Sequence, residues 1–222
     1  MTRKQEETLL AEWARTRRDP DFTKDGVVCE KLYKKSSQKL LFVLKETNRT
    51  KKNFDLRKFL AEGARAYTWD NVTRWVIGIR NCGKSHRWAD LETITPEQRA
   101  KHLASVAAIN MKKTPGGHTT DAKLFRKAFA QDKEFIRRQI ALYKADLVVL
   151  CGSIVVEGFQ LACGSDFAGP WRKTSRGIPF VEYRTGKFAI NYSHPEARVQ
   201  DCLLFYGLVD AVKEIDRLRR RR

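Results

Sequence analysis

Apolar runs along the chain alternate with stretches whose apolar positions recur at helical spacing. The runs KLLFVLK (39–45), ASVAAINMKK (104–113) and ADLVVLCG (145–152) indicate strands, and their near-continuous apolar character is typical of a parallel sheet buried on both faces. A loop rich in glycine and proline (164–179) precedes PFVEYRTG and KFAINYSHP, and the second of these segments is the fourth predicted strand. The pattern therefore predicts a sheet of four strands.

Helical spacing is found between and around these runs. In the first helical segment Leu9, Leu10 and Trp13 share one side. Strands that alternate with helices predict a three-layer α/β/α fold with a mainly parallel, four-stranded central sheet. We expect residues 1–222 to form one domain, with an N-terminal helical extension over about 1–37 and a basic tail at 217–222. The predicted helices are 5–17, 55–66, 69–79, 119–143 and 196–218.

Composition limits the class of protein. Hydrophobic residues make up 42% of the 222, as in a globular protein. No stretch reaches the roughly 18 apolar residues of a membrane helix, and the charged N-terminus lacks an apolar signal core. Five scattered cysteines without a C-x-x-C pair argue against a disulfide framework or a structural zinc site. We expect a protein of the reducing cytosol, with no membrane partner, metal or other cofactor.

Charge indicates the class of partner. Lysine and arginine total 44 against 26 acidic residues, which gives a net charge of +18. Such an excess repels itself unless a polyanion neutralises it, and nucleic acid is the leading candidate. The tail RLRRRR contributes five arginines, but without it the rest of the chain would still be strongly basic. The sequence therefore predicts a basic surface patch.

Polar side chains follow each predicted strand. In open parallel sheets ligands bind outside the carboxyl ends of the strands, so these residues are candidates for a site. A carboxylate, carboxamides, a serine and a histidine would meet at one edge of the sheet. In chain order the four ends supply Glu46, Thr47 and Asn48; Asn110, Lys112 and Lys113; Cys151, Gly152 and Ser153; and Asn191, Ser193, His194 and Pro195.

The order of three motifs resembles the uracil-DNA glycosylase superfamily. LFVLKETN, AAINMKKTP and NYSHPEAR occur in the family's order and strand context, and the resemblance covers about residues 38–205. It implies a parallel four-stranded sheet between helices. It further implies that Glu46 activates water, Asn110 reads the edge of the base, His194 is the motif histidine and Phe54 stacks on the flipped base.

Departures from the family pattern refine this expectation. Leu44 and Thr47 replace the usual glycine and proline of the first motif. The cysteines that hold an iron–sulfur cluster in one branch have no match, and Lys113 stands near one of their positions, so no cluster is expected. Asn48 stands where the uracil-specific branch has an aromatic ring that blocks bases substituted at pyrimidine C5. The resemblance therefore implies a pocket open to a 5-substituted base.

The proposed chemistry assigns two catalytic residues. Cleavage of an N-glycosidic bond builds positive charge on the sugar, which the Glu46 carboxylate would stabilise while orienting a water. The departing base carries negative charge on O2, which a neutral, donating His194 would stabilise. The alternatives are that Glu46 pairs with a neighbouring lysine, that His194 is a satisfied loop residue, that Asn110 caps the sheet and that Phe54 belongs to the core.

Other residues are candidates for DNA contacts. Arg198 would act as a wedge that replaces the flipped base, or would bind phosphate at the start of a helix. Ser153 would hold phosphate at a helix N-terminus. The remaining candidates are Lys112 and Lys113, which would contact backbone phosphates unless they form a solvated pair, and Gly116, Gly117 and His118, which would pinch the strand unless they form an ordinary turn.

These expectations combine into one reading with two rivals. The leading hypothesis, which the resemblance implies, is a monomeric, monofunctional DNA glycosylase of the bacterial cytosol or nucleoid that removes a non-canonical, 5-modified pyrimidine of the kind found in phage DNA. Such an enzyme uses water and needs neither a metal nor a lysine nucleophile. The rivals are a uracil-DNA glycosylase of base-excision repair and a nucleic-acid-binding protein that kept the fold and lost the chemistry.

Overall fold

A mixed sheet of seven strands organises the fold. The computed structural model describes residues 2–48, 54–117 and 121–220. The order of strands across the sheet is β1-β3-β2-β4-β7-β6-β5. The strands are β1 (Gly26–Val27), β2 (Leu40–Leu44), β3 (Ala107–Asn110), β4 (Leu147–Cys151), β5 (Arg172–Lys173), β6 (Pro179–Arg184) and β7 (Lys187–Tyr192).

The four central strands are parallel, and the edges are antiparallel. β2 pairs with β3 on one side and β4 on the other, and β4 pairs with β7, all in parallel. β1, β6 and β5 extend the sheet in antiparallel fashion. The α/β class and the parallel centre are thus confirmed, but the expected count of four strands is wrong. Two of the three additional strands are only two residues long, which is too short for a periodic signal.

Helices cover both faces of the sheet. The predicted helix over 55–66 ends early, because the chain turns at Gly63 with φ +94°. The last helix begins at Asp201 rather than 196, since residues 193–200 form a loop. The helices are α1 (Arg3–Arg17), α2 (Glu30–Lys35), α3 (Leu56–Ala61), α4 (Ala66–Arg80), α5 (Pro96–Leu103), α6 (Ala122–Tyr143), α7 (Ser153–Cys163) and α8 (Asp201–Arg220).

The core has two halves because side chains alternate across the sheet. Along β2, Leu40 and Phe42 point to the first face, where they pack with residues of α3, α4, α5 and α8. Leu41 and Val43 point to the second face, where α1, α6 and α7 cover the sheet. All five residues of β2 are buried, as its unbroken apolar run predicts.

No helix among the described residues is both long and apolar enough to cross a membrane.

Candidate functional site

The carboxyl ends of the four parallel strands lie at one edge of the sheet, which we call the carboxyl edge. β3 ends at Asn110, β2 is followed by Lys45–Asn48, β4 by Gly152 and β7 by Ser193 and His194. Neighbouring strands are about 4.8 Å apart, so β3 and β7 are separated by roughly 14 Å. The ends thus lie side by side along one edge, as expected of parallel strands.

Glu46 forms a partly buried ion pair at this edge. Its Oε2 accepts a hydrogen bond of 2.5 Å from Nζ of Lys112, which also donates to the carbonyl of Pro115. The Glu46 side chain is 7% exposed and that of Lys112 is 18% exposed. The structure therefore contains the alternative arrangement, in which Glu46 pairs with a lysine at the end of the strand. Lys112 holds the carboxylate rather than standing free for a phosphate.

Gly116 allows the backbone to approach the Glu46 carboxylate. A Cβ at position 116 would stand 2.7 Å from Oε2 of Glu46, and closer still to Oε1 and Cδ. The amide of Gly116 donates to the carbonyl of Thr47 (2.8 Å), and Gly116 forms an isolated parallel bridge with Asn48. The predicted glycine turn thus folds back onto the residues that follow β2 and covers one side of Glu46.

His194 is partly buried at the end of β7. Its Nδ1 accepts the backbone N–H of Glu196 at 3.1 Å, so in the neutral ring the proton is on Nε2. Burial and the nearby Lys45 ammonium lower the pKa of His194 below 6.5, and Glu196 opposes this shift. The imidazole is therefore neutral at pH 7 and carries one N–H donor on Nε2.

Asn110 has a buried amide nitrogen without a partner. The residue is 3% exposed, and no described residue forms a hydrogen bond with Nδ2. By strand alternation its side chain lies on the first face, after Ala108. A buried donor that lacks a partner costs about 1–3 kcal/mol, so its retention calls for an explanation such as an acceptor supplied by a ligand.

The backbone of Asn110 is held by a buried ionic cluster. Its N–H donates to Oδ2 of Asp25 at 2.7 Å, and its carbonyl accepts from Nζ of Lys113 at 2.8 Å. Lys113 also contacts both carboxylate oxygens of Asp25 at 2.7 Å, and Gln139 joins the two. Sequence reasoning missed Asp25, because nothing in the N-terminal extension marks it as belonging near the end of β3.

Lys113 corrects an expectation. Its side chain is 2% exposed, its partner Asp25 is fully buried, and its ammonium lies 4.7 Å from the centre of the Trp13 ring. Lys113 therefore cannot contact a DNA phosphate in this structure and instead serves the core. Burial lowers its pKa, and the Asp25 carboxylate opposes that shift.

The two base-binding candidates near Glu46 differ in exposure. Phe54 is partly buried, belongs to the rim of the first core and contacts Phe59, with 5.6 Å between ring centres. Phe54 therefore packs against the core, as the alternative prediction stated, and part of its ring remains exposed to solvent. Asn48 is exposed. Both flank residues 49–53, which lie outside the described residues.

The other DNA-contact candidates lie at the same edge. Ser153 is exposed at the first position of α7, directly after Gly152, which adopts φ +110°. Gly117 is exposed after Gly116, and His118 lies outside the described residues. Arg198 is exposed in the loop between β7 and α8. The structure thus places these exposed candidates in the segments that follow the parallel strands, whereas Asn110 and Lys113 are buried.

Among the described residues no group of three His, Cys, Asp or Glu side chains is arranged to hold a metal ion.

Comparison with known proteins adds no family assignment: no family model matches the sequence, and no curated protein is significantly similar to it.

Proposed function

We propose that the protein is a monofunctional DNA glycosylase on a uracil-DNA-glycosylase-like fold. It hydrolyses the N-glycosidic bond of a flipped-out, non-canonical pyrimidine and leaves an abasic site. The favoured substrate is a base modified at C5, as in hypermodified phage DNA, and uracil is the second candidate. The observation that carries the proposal is the hydrogen bond from the Glu196 N–H to Nδ1 of His194, which leaves Nε2 as the donor of a neutral ring at the same sheet edge as Glu46 and Asn110.

The electron flow of the reaction explains the role of His194. When the bond between the sugar C1′ and the pyrimidine N1 breaks, the bonding pair leaves with the base and spreads onto O2. A neutral imidazole stabilises this charge by donating a hydrogen bond from Nε2. Unlike an imidazolium, it carries no charge that has to be removed from water when the base binds. The backbone bond from Glu196 to Nδ1 fixes the tautomer and the orientation of the ring.

Glu46 would act on the opposite side of the sugar. Its carboxylate would stabilise the cationic sugar, orient the attacking water and accept the proton that this water loses. Lys112 contacts Oε2, and Gly116 leaves no room for a side chain beside the carboxylate, so its position is fixed. A fixed group of this kind requires little reorganisation during the reaction.

Asn110 would read the base. Its unpartnered Nδ2 is a donor that suits a carbonyl oxygen at pyrimidine position 4, and a flipped base would supply the missing acceptor. Asn48 is exposed, and by the resemblance it takes the position of the ring that would exclude a C5 substituent. These two features support a pyrimidine substrate that carries additional atoms at C5.

One observation favours the rival in which the protein binds nucleic acid without cleaving it. The Glu46 side chain is 7% exposed and already paired with Lys112. A sugar that becomes cationic must compete with this ammonium for the same carboxylate. If the ion pair of Glu46 and Lys112 persists when DNA is bound, Glu46 is structural. The carboxyl edge is then a surface that binds DNA without cleaving it.

A base-release assay tests the proposal. The protein is incubated with uracil-containing DNA, with 5-modified phage DNA and with unmodified DNA, and the products are assayed for alkali-labile abasic sites and for freed bases by mass. We expect release from the 5-modified DNA. Salt-sensitive binding to all three DNAs with release from none of them would contradict the glycosylase and support the binding protein.

Glu46→Gln separates catalysis from structure. The amide oxygen can still accept from Lys112, but the negative charge is lost, so we expect release to fall by roughly 10²-fold or more with DNA affinity kept. Glu157→Gln is the matched control, because Glu157 pairs with Arg126 on the exposed surface. Full activity of Glu46→Gln would show that Glu46 does not orient the water.

Asn48→Tyr tests the pocket. A ring at this position should exclude 5-modified bases and leave uracil release intact. Equal loss on both substrates, measured by the same release assay, would contradict the argument for an enlarged pocket.

A further inference from the structure

The loop that carries His194 is held by polar side chains buried on α4. Thr68, Asn71 and Arg74 follow one another at a spacing of three residues along this helix, and all three are buried. Side chains at this spacing lie on one side of a helix, and here they bind the loop between β7 and α8 and the first residue of α8. A polar side chain is costly to bury unless it is hydrogen-bonded, so the partners of these side chains indicate their role.

One peptide group joins Asn71 to His194. The carbonyl of Pro195 accepts a hydrogen bond of 2.8 Å from Nδ2 of Asn71, and the N–H of Glu196 donates to Nδ1 of His194 at 3.1 Å. This carbonyl and this N–H belong to the same peptide bond, which is planar and trans. Asn71 therefore fixes the plane from which the donor to the imidazole ring projects.

Arg74 determines which way the Asn71 amide points. One nitrogen of its guanidinium group donates to Oδ1 of Asn71 at 2.8 Å and to Oδ2 of Asp201 at 3.0 Å. Because a guanidinium can only donate, the amide oxygen of Asn71 faces Arg74 and the amide nitrogen faces the Pro195 carbonyl. The same nitrogen also donates to Oδ1 of Asp201 at 2.8 Å. The turn after His194 and the first residue of α8 are thus held by one side chain.

Arg74 is itself anchored outside this loop. Its other two nitrogens donate to the carbonyls of Leu91 and Glu92, both at 2.8 Å, and its guanidinium lies 5.2 Å from the centre of the Trp88 ring. These contacts lie in the segment before α5. The orientation of Asn71 therefore does not depend on the loop that Asn71 holds.

The residues on either side of the bound peptide group are restrained as well. The N–H of Ala197 donates to the carbonyl of His194 at 2.9 Å, which closes a turn with Pro195 at its second position, where the proline ring fixes φ. The side chain of Glu196 accepts a hydrogen bond from the hydroxyl of Thr68. The peptide group between Pro195 and Glu196 is thus held from both neighbours and, through its carbonyl, from α4.

We propose that Asn71 is a positioning residue for His194 and acts through the peptide group between Pro195 and Glu196. A ring that is held at Nδ1 presents Nε2 in one direction, and a donor fixed in this way requires little reorganisation when charge develops on a departing base. The inference rests on the proposed function for what Nε2 does, but not for how the ring is held.

NMR of the full chain tests this arrangement without DNA. For Asn71→Leu we expect hydrogen exchange of the Glu196 amide to become about 2- to 10-fold faster, the effect of losing one hydrogen bond. The pKa of His194 should rise, because a hydrogen bond donated to Nδ1 stabilises the neutral ring. If Asn71→Leu does not fold, Asn71→Ala, which leaves room for water beside Arg74, is measured in the same way.

Two substitutions on the same helix are matched controls. Val72→Ala lowers the stability through a cavity, since Val72 is fully buried, but it removes no hydrogen bond. Exchange of a loop amide proceeds by local opening, so Val72→Ala should leave the Glu196 amide and the pKa of His194 as in the parent protein. Thr73→Val should also leave both unchanged, because the buried hydroxyl of Thr73 has no partner among the described residues.

The base-release assay measures the consequence for catalysis. Asn71→Leu should lower kcat by roughly 10- to 100-fold and leave KM within about twofold, because the orientation of His194 is lost and contacts with DNA are not. Val72→Ala should keep the parent kcat at a temperature where it is folded.

The outcomes separate this inference from the proposed function. An unchanged Glu196 amide and an unchanged His194 pKa in Asn71→Leu would overturn the inference. The same changes in Val72→Ala would also overturn it, because they would then reflect lower stability alone. The parent kcat in Asn71→Leu would show that the orientation of His194 does not govern the reaction. If the parent protein releases a base from no DNA, the proposed function fails, and the NMR measurements still decide how the ring is held.

Discussion

Gly116 offers the sharpest test of whether the position of Glu46 matters. A Cβ at position 116 would stand 2.7 Å from Oε2 of Glu46, whereas ordinary contacts begin at 3.4 Å. In Gly116→Ala the carboxylate must therefore withdraw by roughly 1 Å, because its flexible side chain moves more readily than backbone. The 2.5 Å contact with Lys112 would be lost or rebuilt elsewhere.

The expected effects on activity and on stability differ widely. A displacement of about 1 Å in a reacting group can reduce turnover by about 10²-fold. The free energy of unfolding should change by no more than about 1 kcal/mol. The pair of Glu46 and Lys112 is partly buried (7% and 18% exposed), but both partners remain in the variant, so its displacement should cost on the order of 1 kcal/mol, and replacing glycine by alanine recovers about 0.4–1 kcal/mol through the unfolded chain. Gly116 does not adopt a positive φ, so its backbone conformation is open to alanine and only the overlap with the Glu46 carboxylate opposes the substitution.

The assay combines release rates with urea unfolding in a double-mutant cycle. Gly116→Ala should reduce release in the parent protein but cause little further loss in a Glu46→Gln background, because both changes act through one carboxylate. Gly169→Ala is the matched control, since no atom lies within 4 Å of the added Cβ. Independent, multiplicative effects of Gly116→Ala and Glu46→Gln would refute the reasoning, as would release by Gly116→Ala at the parent rate.

Two further predictions concern the other site residues. Asn110→Leu should reduce base release and leave the free energy of unfolding within about 1 kcal/mol in urea titrations, because it removes a buried donor that no described residue satisfies. Asn71→Leu, which loses three hydrogen bonds, should lower the free energy of unfolding by about 1–3 kcal/mol or more. Lys45→Met should raise the pKa of His194 in NMR titrations and leave that of His102 unchanged, since burial, Lys101 and Arg80 lower the latter. Folding lowers the pKa of His194 below 6.5, so its contribution to stability falls as the pH drops below 6.5, and Lys45→Met should reduce that loss.

The central strands could be predicted from the sequence because burial on both faces leaves a clear mark. LLFVL in β2 and LVVLC in β4 are apolar at every position, and every one of these residues is buried. Since parallel strands end at one edge, the positions of Glu46, Asn110 and His194 followed from the pattern alone. The short edge strands β1 and β5 could not be predicted, because two residues are too few to show an alternation of hydrophobic and polar positions.

The roles of the two adjacent lysines could not be predicted. Lys112 and Lys113 are identical in type and follow the same strand, yet one holds Glu46 and the other is buried against Asp25. The two lysines differ because Lys113 has Asp25 as its partner. Asp25 is remote in sequence and is brought to the end of β3 by the antiparallel pairing of β1 with β3. Two adjacent lysines in a sequence are normally predicted to be exposed to solvent. Only the tertiary contact with Asp25 shows that one of them is buried.

The buried pair of Asp25 and Lys113 is better explained by position than by stability. Removing two charges from water is costly, and well-packed apolar residues of similar volume are often as stabilising or more so. An apolar pair, however, could not bind the N–H and the carbonyl of Asn110 at once, as Asp25 and Lys113 do. Because both backbone groups are fixed, the peptide planes on either side of Asn110 are held and its Cα–Cβ bond keeps one direction. Under the proposed role of Asn110 in base binding, its side-chain amide would require such a fixed position, and the cluster of Asp25 and Lys113 would supply it at the end of β3.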